Sequence, residues 1–195
     1  MNLDQTNSEF YNEYSEFFDK IPFEDSLIPL ILKHLPNLGN ILEIGAGAGA
    51  LASWMVQRGY DITCLEPAVK PAEKARLKGL NVITKRFQDY SSSSTFDGII
   101  AISSLIHISR SKMPLQIEKL SQLIKHEGTI ILSFIEGNVE GYEDPTGKGK
   151  MRFFSKFTQD ELETLLTPYF SIVESQKIEV KKMNQSFYLM VLKAG

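Results

Sequence analysis

Ile41-Leu42-Glu43-Ile44-Gly45-Ala46-Gly47-Ala48-Gly49 is the stretch on which the reading of this chain turns. A short apolar run of strand type carries a carboxylate two residues before the first of three alternating glycines. Gly45, Gly47 and Gly49 have no Cβ and tolerate positive φ, so the backbone can turn sharply and bring its peptide groups up to a bulky, nucleoside-like ligand. Ala50 to Arg58 follows with a helical pattern whose N-terminus points back at the same spot. Glu43 sets the sign of the ligand, because a fixed carboxylate repels a pyrophosphate and attracts an amino or sulfonium group. The glycines alone leave the ligand open, since Gly45, Gly47 and Ala50 also satisfy the dinucleotide fingerprint Gly-x-Gly-x-x-Gly/Ala.

The 195 residues are 43% hydrophobic, which fits one globular domain burying about 70% of its unfolded surface. Met1 to Glu9 has neither a basic n-region nor an apolar h-region. No run reaches the ~18 uninterrupted apolar residues of a membrane span. A cytoplasmic protein with no membrane partner is the expectation. Cys64 lies alone in an apolar strand pattern and reads as a small core residue rather than a nucleophile. A net charge of −3 gives no field to draw in a polyanion, which disfavours nucleic acid as a partner. Three scattered histidines and one cysteine give no metal-ligand spacing, so no metal is expected. No feature of the sequence fixes an oligomeric state.

Ser8 to Lys20 carries Phe10, Tyr11, Tyr14, Phe17 and Phe18 at helical spacing, with Ser8 placed to cap. A second helical pattern runs from about Phe23 to Leu35 and stops at Pro36-Asn37-Leu38-Gly39. Strands are then expected at Asn40 to Ile44, Tyr60 to Glu66, Asn81 to Lys85, Phe96 to Ser103 and Gly128 to Phe134. Helices fall between them at Ala50 to Arg58, Pro71 to Lys78 and Met113 to His126. That rhythm predicts a parallel sheet covered on both faces. Glu136 to Lys150 is polar and Gly-rich, with Gly137, Gly141 and Asp144-Pro145-Thr146-Gly147, and reads as a functional lid or mobile loop. Thr158 to Thr167 is a helix opened by a Thr158/Glu161 capping box. Two β-like runs, Phe170 to Ile178 and Met183 to Leu192, joined by the polar link Glu179 to Lys182, predict a closing antiparallel hairpin. The fold class is α/β, doubly wound, with a seven-stranded mainly parallel sheet.

In such a sheet ligands sit outside the carboxyl ends of the strands. The second strand ends in Glu66, a carboxylate able to accept from both hydroxyls of a ribose and equally suited to an NAD site. His107 is the one histidine at a strand end, where an imidazole could take a proton from an acceptor.

Several of these stretches together resemble the class I S-adenosylmethionine-dependent methyltransferases, of the small-molecule type. Glu43-Ile44-Gly45-Ala46-Gly47-Ala48-Gly49 is similar to their motif I, acid-x-Gly-x-Gly-x-Gly. Phe96-Asp97, leading to Ser103-Ser104-Leu105-Ile106-His107, resembles their motif IV, and Gly128 to Phe134 their fifth strand. Arg152-Phe153-Phe154 and Thr158-Gln159-Asp160-Glu161-Leu162 look like a stretch common in the small-molecule members. With the terminal hairpin, the resemblance covers nearly all of the chain from Ile41 onward. It implies a Rossmann-like methyltransferase fold and S-adenosylmethionine as cofactor, with S-adenosylhomocysteine as product. By that likeness the cofactor-binding candidates are Tyr11, Glu43, Gly45, Ala46, Gly47, Gly49, Glu66, Pro67, Gln88, Asp89, Ser103 and Ser104. Asp89 matches the acid that accepts from the adenine amino group, Ser103 and Ser104 fall beside the methyl group, and Tyr11 belongs to a lid helix. Tyr142, Arg152, Phe153 and Phe154 are acceptor-site candidates, and His107 is the catalytic candidate. The implied single domain, 1–195, has a helical lid at 1–39, a cofactor-binding half at 40–135, a flap or acceptor-site segment at 136–157 and a closing helix and hairpin at 158–195. The implied partner is a small-molecule acceptor. A tRNA-modifying methyltransferase, a non-catalytic binder of the cofactor and an NAD-dependent oxidoreductase are the rival readings. The first needs a basic face, for which Lys148, Lys150, Arg152 and Lys156 are the one local cluster.

Overall fold

Ile41, Leu42, Glu43 and Ile44 are all buried, as expected of a central parallel strand with helices on both of its faces. The computed structural model describes residues 3–18, 27–35, 39–144, 147, 149–180 and 185–195. Two helices, α1 (Leu3–Glu13) and α2 (Ser15–Phe18), precede α3 (Leu27–His34). Then come β1 (Asn40–Ile44), α4 (Ala50–Val56), β2 (Asp61–Leu65), α5 (Val69–Leu77), β3 (Asn81–Ile83), β4 (Phe96–Ala101), α6 (Met113–Leu123) and β5 (Ile124–Glu136). The chain closes with β6 (Glu140–Glu143), β7 (Arg152–Phe157), α7 (Gln159–Leu166), β8 (Phe170–Val180) and β9 (Gln185–Ala194).

Five parallel strands lie in the order β3-β2-β1-β4-β5. β9 runs antiparallel along the other edge of β5, Thr129 to Ile135 against Lys193 to Phe187, and β8 pairs outside β9. Strand order reverses between β1 and β4, so the crevice of the sheet opens at the carboxyl ends of those two strands. Alternate residues of β1 feed two cores. Leu42 and Ile44 pack with α6 and α7, and Ile41 with α3, α4 and α5. Leu42 is fully buried, and its truncation to alanine costs about 2–5 kcal/mol. Asp97 secures the far end of the sheet, accepting from the Asn40 N–H at 3.0 Å and from Lys125 at 2.8 Å. The Lys125 hydrogen bond, ahead of that from Asn40, holds its carboxyl below the usual range.

The seven expected strands are present, and two more join them. β6 and β7 pair antiparallel, Tyr142 opposite Phe153, and β7 adds in parallel to the last residues of β5. Within Glu136 to Lys150, expected to be a lid or mobile loop, Glu140–Glu143 is therefore a strand, hairpin-paired with the β7 that follows. Ser8 is not a cap, because α1 already begins at Leu3, and a turn at Tyr14 separates α2 from it. α6 stops at Leu123, so His126 lies on β5 instead of a helix end; Glu127, at φ 61°, turns the chain there. The capping box is as expected, with Thr158 accepting from the Glu161 N–H at 3.3 Å and Glu161 accepting from the Thr158 N–H at 2.9 Å. The expected start of the second helix at Phe23, the Pro36 to Leu38 stop, Pro145, Thr146, Lys148 and the hairpin link from residue 181 to 184 lie outside the described residues. Among the described residues no helix is long and apolar enough to cross a membrane.

Candidate active site

The loop after β1 takes the left-handed conformations its glycines allow, with φ of 76°, 57° and 76° at Gly45, Gly47 and Gly49. A Cβ at Gly45 would collide with Ser104, so the loop and the chain after β4 close on each other only because that glycine is there. Glu66, 6% exposed, accepts from the N–H of Gly47 and of Ala68, at 2.8 Å each. Burial pushes its pKa up against those two hydrogen bonds. Glu43 is 7% exposed, and its Oε2 takes no hydrogen bond among the described residues. Burial first, and then the charge of Glu66, push Glu43 up to about 8, with the Ala52 N–H pulling the other way. Ala46 is buried beside them, and Pro67 is partly buried between Glu66 and Ala68.

After β4 the chain turns at Ser103, whose φ of 51° is unusual for a residue with a side chain. Its N–H donates to the Ser133 hydroxyl at 2.7 Å, and the Ser104 Oγ is buried with no partner among the described residues. Gln88 and Asp89 lie in a 3₁₀ turn spanning Phe87–Asp89, where Lys119 donates to the carbonyls of Phe87 (3.0 Å) and Gln88 (2.7 Å). Asp89 is exposed and paired with Arg86 at 2.6 Å.

The other wall comes from α1, from the 3₁₀ turn Leu105–His107 and from β7. Asn7 and Tyr11 lie one turn apart on one face of α1. The Asn7 side-chain amide, 6% exposed, donates to the Phe153 carbonyl (3.3 Å) and accepts from the Phe153 N–H (3.0 Å). That same carbonyl accepts from His107 Nδ1 at 2.8 Å. A carbonyl cannot donate, so Nδ1 carries the proton of the neutral ring, and Nε2 accepts from the Tyr11 hydroxyl at 2.9 Å. Arg152 in turn donates to the Tyr11 oxygen at 2.9 Å. Burial, chiefly, moves Tyr11 up and His107 down to about 4, so the network rests with both groups neutral. The Arg152 guanidinium is buried among the rings of Phe10, Tyr11 and Phe154, 4.5–5.5 Å from their centres. Tyr142 sets its ring edge-on to Phe153 at 5.7 Å, and its hydroxyl is buried with no partner among the described residues. Asn7 and Ser133 were not among the residues expected from the sequence; a buried amide whose partner lies 146 residues away leaves no local pattern.

The structure thus brings Glu43, the glycines, Glu66 and Ser104 onto one wall, and Tyr11, His107, Arg152 and Phe153 into one network. Among the described residues Asp89 is hydrogen-bonded to neither group; it is exposed and paired with Arg86. The N–H groups of Gly45, Ala46, Gly47 and Gly49 are spent on protein acceptors, and a wall that then presents two buried carboxylates, one with an unmatched oxygen, fits a ligand that carries a cation and hydroxyl donors and does not fit a pyrophosphate.

The fold has close counterparts among solved structures. The 1,6-didemethyltoxoflavin-N1-methyltransferase of Burkholderia thailandensis, with bound 1,6-didemethyltoxoflavin and S-adenosylhomocysteine, superposes with a TM-score of 0.77 at 17% identity, over 98% of this chain and 88% of that one. The N-methyltransferase NodS of Bradyrhizobium japonicum, in complex with S-adenosylhomocysteine, gives 0.71 at 15% identity, over 98% and 97%. The fold and the family match together define a class I, S-adenosylmethionine-dependent methyltransferase. The chain belongs to the methyltransferase domain family, whose sequence model matches residues 16–169. Among its curated relatives, an uncharacterised methyltransferase of Bacillus mycoides is 24% identical over 189 residues, spanning 93% of this chain and 87% of its own length.

Proposed function

We propose that this methyltransferase transfers the methyl group of S-adenosylmethionine to a small-molecule acceptor. Bound S-adenosylmethionine supplies a methyl already activated on a sulfonium, so the chain's own task is alignment of the nucleophile and exclusion of water. Glu66 would hold the ribose hydroxyls and Glu43 the cationic end of the cofactor. Gln88 and Asp89 would flank the adenine, and Ser103 and Ser104 the methionine part. Tyr11 would roof the site. Tyr142, Arg152, Phe153 and Phe154 would face the acceptor. With both ring nitrogens of His107 engaged, its role in this reading is to hold Tyr11 and the lid helix on β7.

The observation that carries the small-molecule reading is how the basic residues near the acceptor side are placed. Arg152 is buried among aromatic rings, Lys150 pairs with Glu13 at 3.0 Å, and Lys156 with Glu143 at 2.6 Å. Among the described residues of that cluster, internally matched cations leave little free positive charge for a polynucleotide backbone. The Burkholderia neighbour, crystallised with 1,6-didemethyltoxoflavin, is compatible with the same class of acceptor.

Thermal melts with S-adenosylmethionine, S-adenosylhomocysteine and NAD test the cofactor half. Both adenosyl ligands should raise Tm and NAD should not; the reverse would return the oxidoreductase reading. Methyl-labelled cofactor incubated with a small-molecule extract and, separately, with bulk tRNA tests the acceptor half. Label confined to the tRNA arm would overturn it.

A further inference from the structure

Glu43 and Glu66 form a pair of buried carboxylates at the neighbouring carboxyl ends of β1 and β2. Both oxygens of Glu66 are occupied by backbone N–H groups, whereas Glu43 Oε2 has no hydrogen bond among the described residues. Among the described residues, the surroundings bring no neutralising cation. From β2, the groups facing Glu43 are Glu66 itself and Cys64, its register partner, whose thiol is pushed up by burial and then by the two carboxylates. From α4 comes the Ala52 N–H, and from β4 the apolar register partner Ile100. From α1, Tyr11 feels Glu66 and stays a neutral phenol. No lysine, arginine or histidine among the described residues is hydrogen-bonded to either carboxylate.

Two like charges buried together cannot both persist without a counter-charge. We propose that cofactor binding at this wall is an exchange of cations: the ligand-free protein keeps one proton on Glu43, and the ammonium of the cofactor's amino-acid end displaces that proton to solvent and takes its place. The proposal rests on the cofactor reading above. The balance is simple: the Glu43 O–H bond breaks, its electron pair stays on the carboxylate, the proton goes to buffer, and the ammonium arrives already charged. The upward shift of Glu43 to about 8 agrees with this geometry. Affinity should then climb with pH, by roughly 50-fold between pH 6 and 8, because binding selects the ionised form that is scarce below that pKa.

The test is calorimetry of S-adenosylhomocysteine binding at pH 7 in phosphate and in Tris, whose ionisation enthalpies differ. About one proton should be released per ligand bound. 5′-Methylthioadenosine, which lacks the amino-acid end, should bind with almost no release and with a pH-independent affinity. Glu43→Gln, checked for folding by its melting transition, should bring the release for S-adenosylhomocysteine close to zero and flatten its pH dependence. S-adenosylhomocysteine binding without proton release, or equal release with 5′-methylthioadenosine or in Glu43→Gln, would overturn the exchange and leave the cofactor reading intact. A folded wild-type protein that fails to bind S-adenosylhomocysteine at pH 8 would sink both.

Discussion

Glu66 is held by two backbone donors before any ligand is considered, so its carboxylate organises the glycine loop as well as offering itself to a ribose. Glu66→Ala should therefore weaken S-adenosylhomocysteine binding by about tenfold or more, corresponding to the 1.5–3 kcal/mol of hydrogen bonds to a charged group. Calorimetry on the folded variant checks this, and unchanged affinity would remove Glu66 from the site. His107 invites the opposite expectation. Burial, with Arg152 adding, keeps its pKa near 4 against the pull of the Phe153 carbonyl, so the ring is neutral from pH 6 to 8. A base that titrated in that window would imprint its pKa on kcat/KM. His107→Asn is expected to lower turnover through a loosened lid while leaving the shape of the pH profile unchanged. Loss of an inflection that the wild type shows would instead restore His107 as the base. At this scale the sequence was informative where chemistry is local: Glu43, the three glycines and Glu66 announce themselves by spacing along two strands. Asn7 does not, since its partner Phe153 is distant in the chain and an asparagine in a polar N-terminal segment carries no signature.

The first helix shows how one element joins the two halves of the site. At one end Asn7 and Tyr11 fasten α1 to β7 and His107; farther along, Asn12 accepts from the Lys70 N–H of α5 at 2.8 Å, and Glu16 of α2 pairs with Lys74 at 2.8 Å. Ligands bound at the ends of β1 and β4 would lie under this bridge. Its exposed contacts to α5 are weak, whereas the buried Asn7–Phe153 pair is costly to leave unmade. Asn7→Ala leaves the Phe153 N–H without an acceptor and should destabilise the docked helix by about 1–3 kcal/mol. Hydrogen exchange reads this directly. The Phe153 amide and the amides of α1 should exchange faster in the variant, with β1 and β4 unaffected; unchanged exchange at Phe153 would show that the pair does not hold the lid. The same experiment separates α1 from the β6–β7 hairpin. With Arg152 to Ser155 and Phe157 buried, β7 should be protected with and without S-adenosylhomocysteine, so that gating falls to α1. The glycines and the Asp-Pro pair in the sequence from Glu136 to Lys150 concealed that hairpin, because β6, Glu-Gly-Tyr-Glu, has no apolar alternation to reveal it.

The molecule as a whole was the most legible level, because the direction of its strands follows from few rules: an alternating rhythm requires parallel strands, and a polar link between two final β-runs requires an antiparallel close. Its response to pH follows from a few buried groups taken together. Glu43 titrates near 8 in the folded chain against an ordinary carboxylate value of 4.5, so between those limits the native state binds more protons than the unfolded one. Stability from this group is complete below about 4.5 and is lost as pH rises through 8. Glu66, also raised by burial, acts in the same direction. His107, lowered from 6.5 to about 4, has the opposite sign: its contribution is complete above 6.5 and is lost as pH falls through 4. The exposed carboxylates that ion pairs hold low, such as Glu174 at about 2 beside Lys33 and His34, matter only in acid. The slopes of Glu43 and His107 nearly cancel between about pH 4.5 and 6.5, and above 6.5 Glu43 acts unopposed. The ligand-free protein should therefore show a broad maximum below pH 6.5 and lose stability of the order of a few kcal/mol by pH 8.5. Denaturant melts across that range check the curve. Glu43→Gln should flatten its alkaline side, and saturating S-adenosylhomocysteine should flatten it in the wild type by giving the carboxylate a cation. A ligand-free wild type equally stable at pH 6.5 and 8.5 would mean that water, and not a buried proton, meets Glu43.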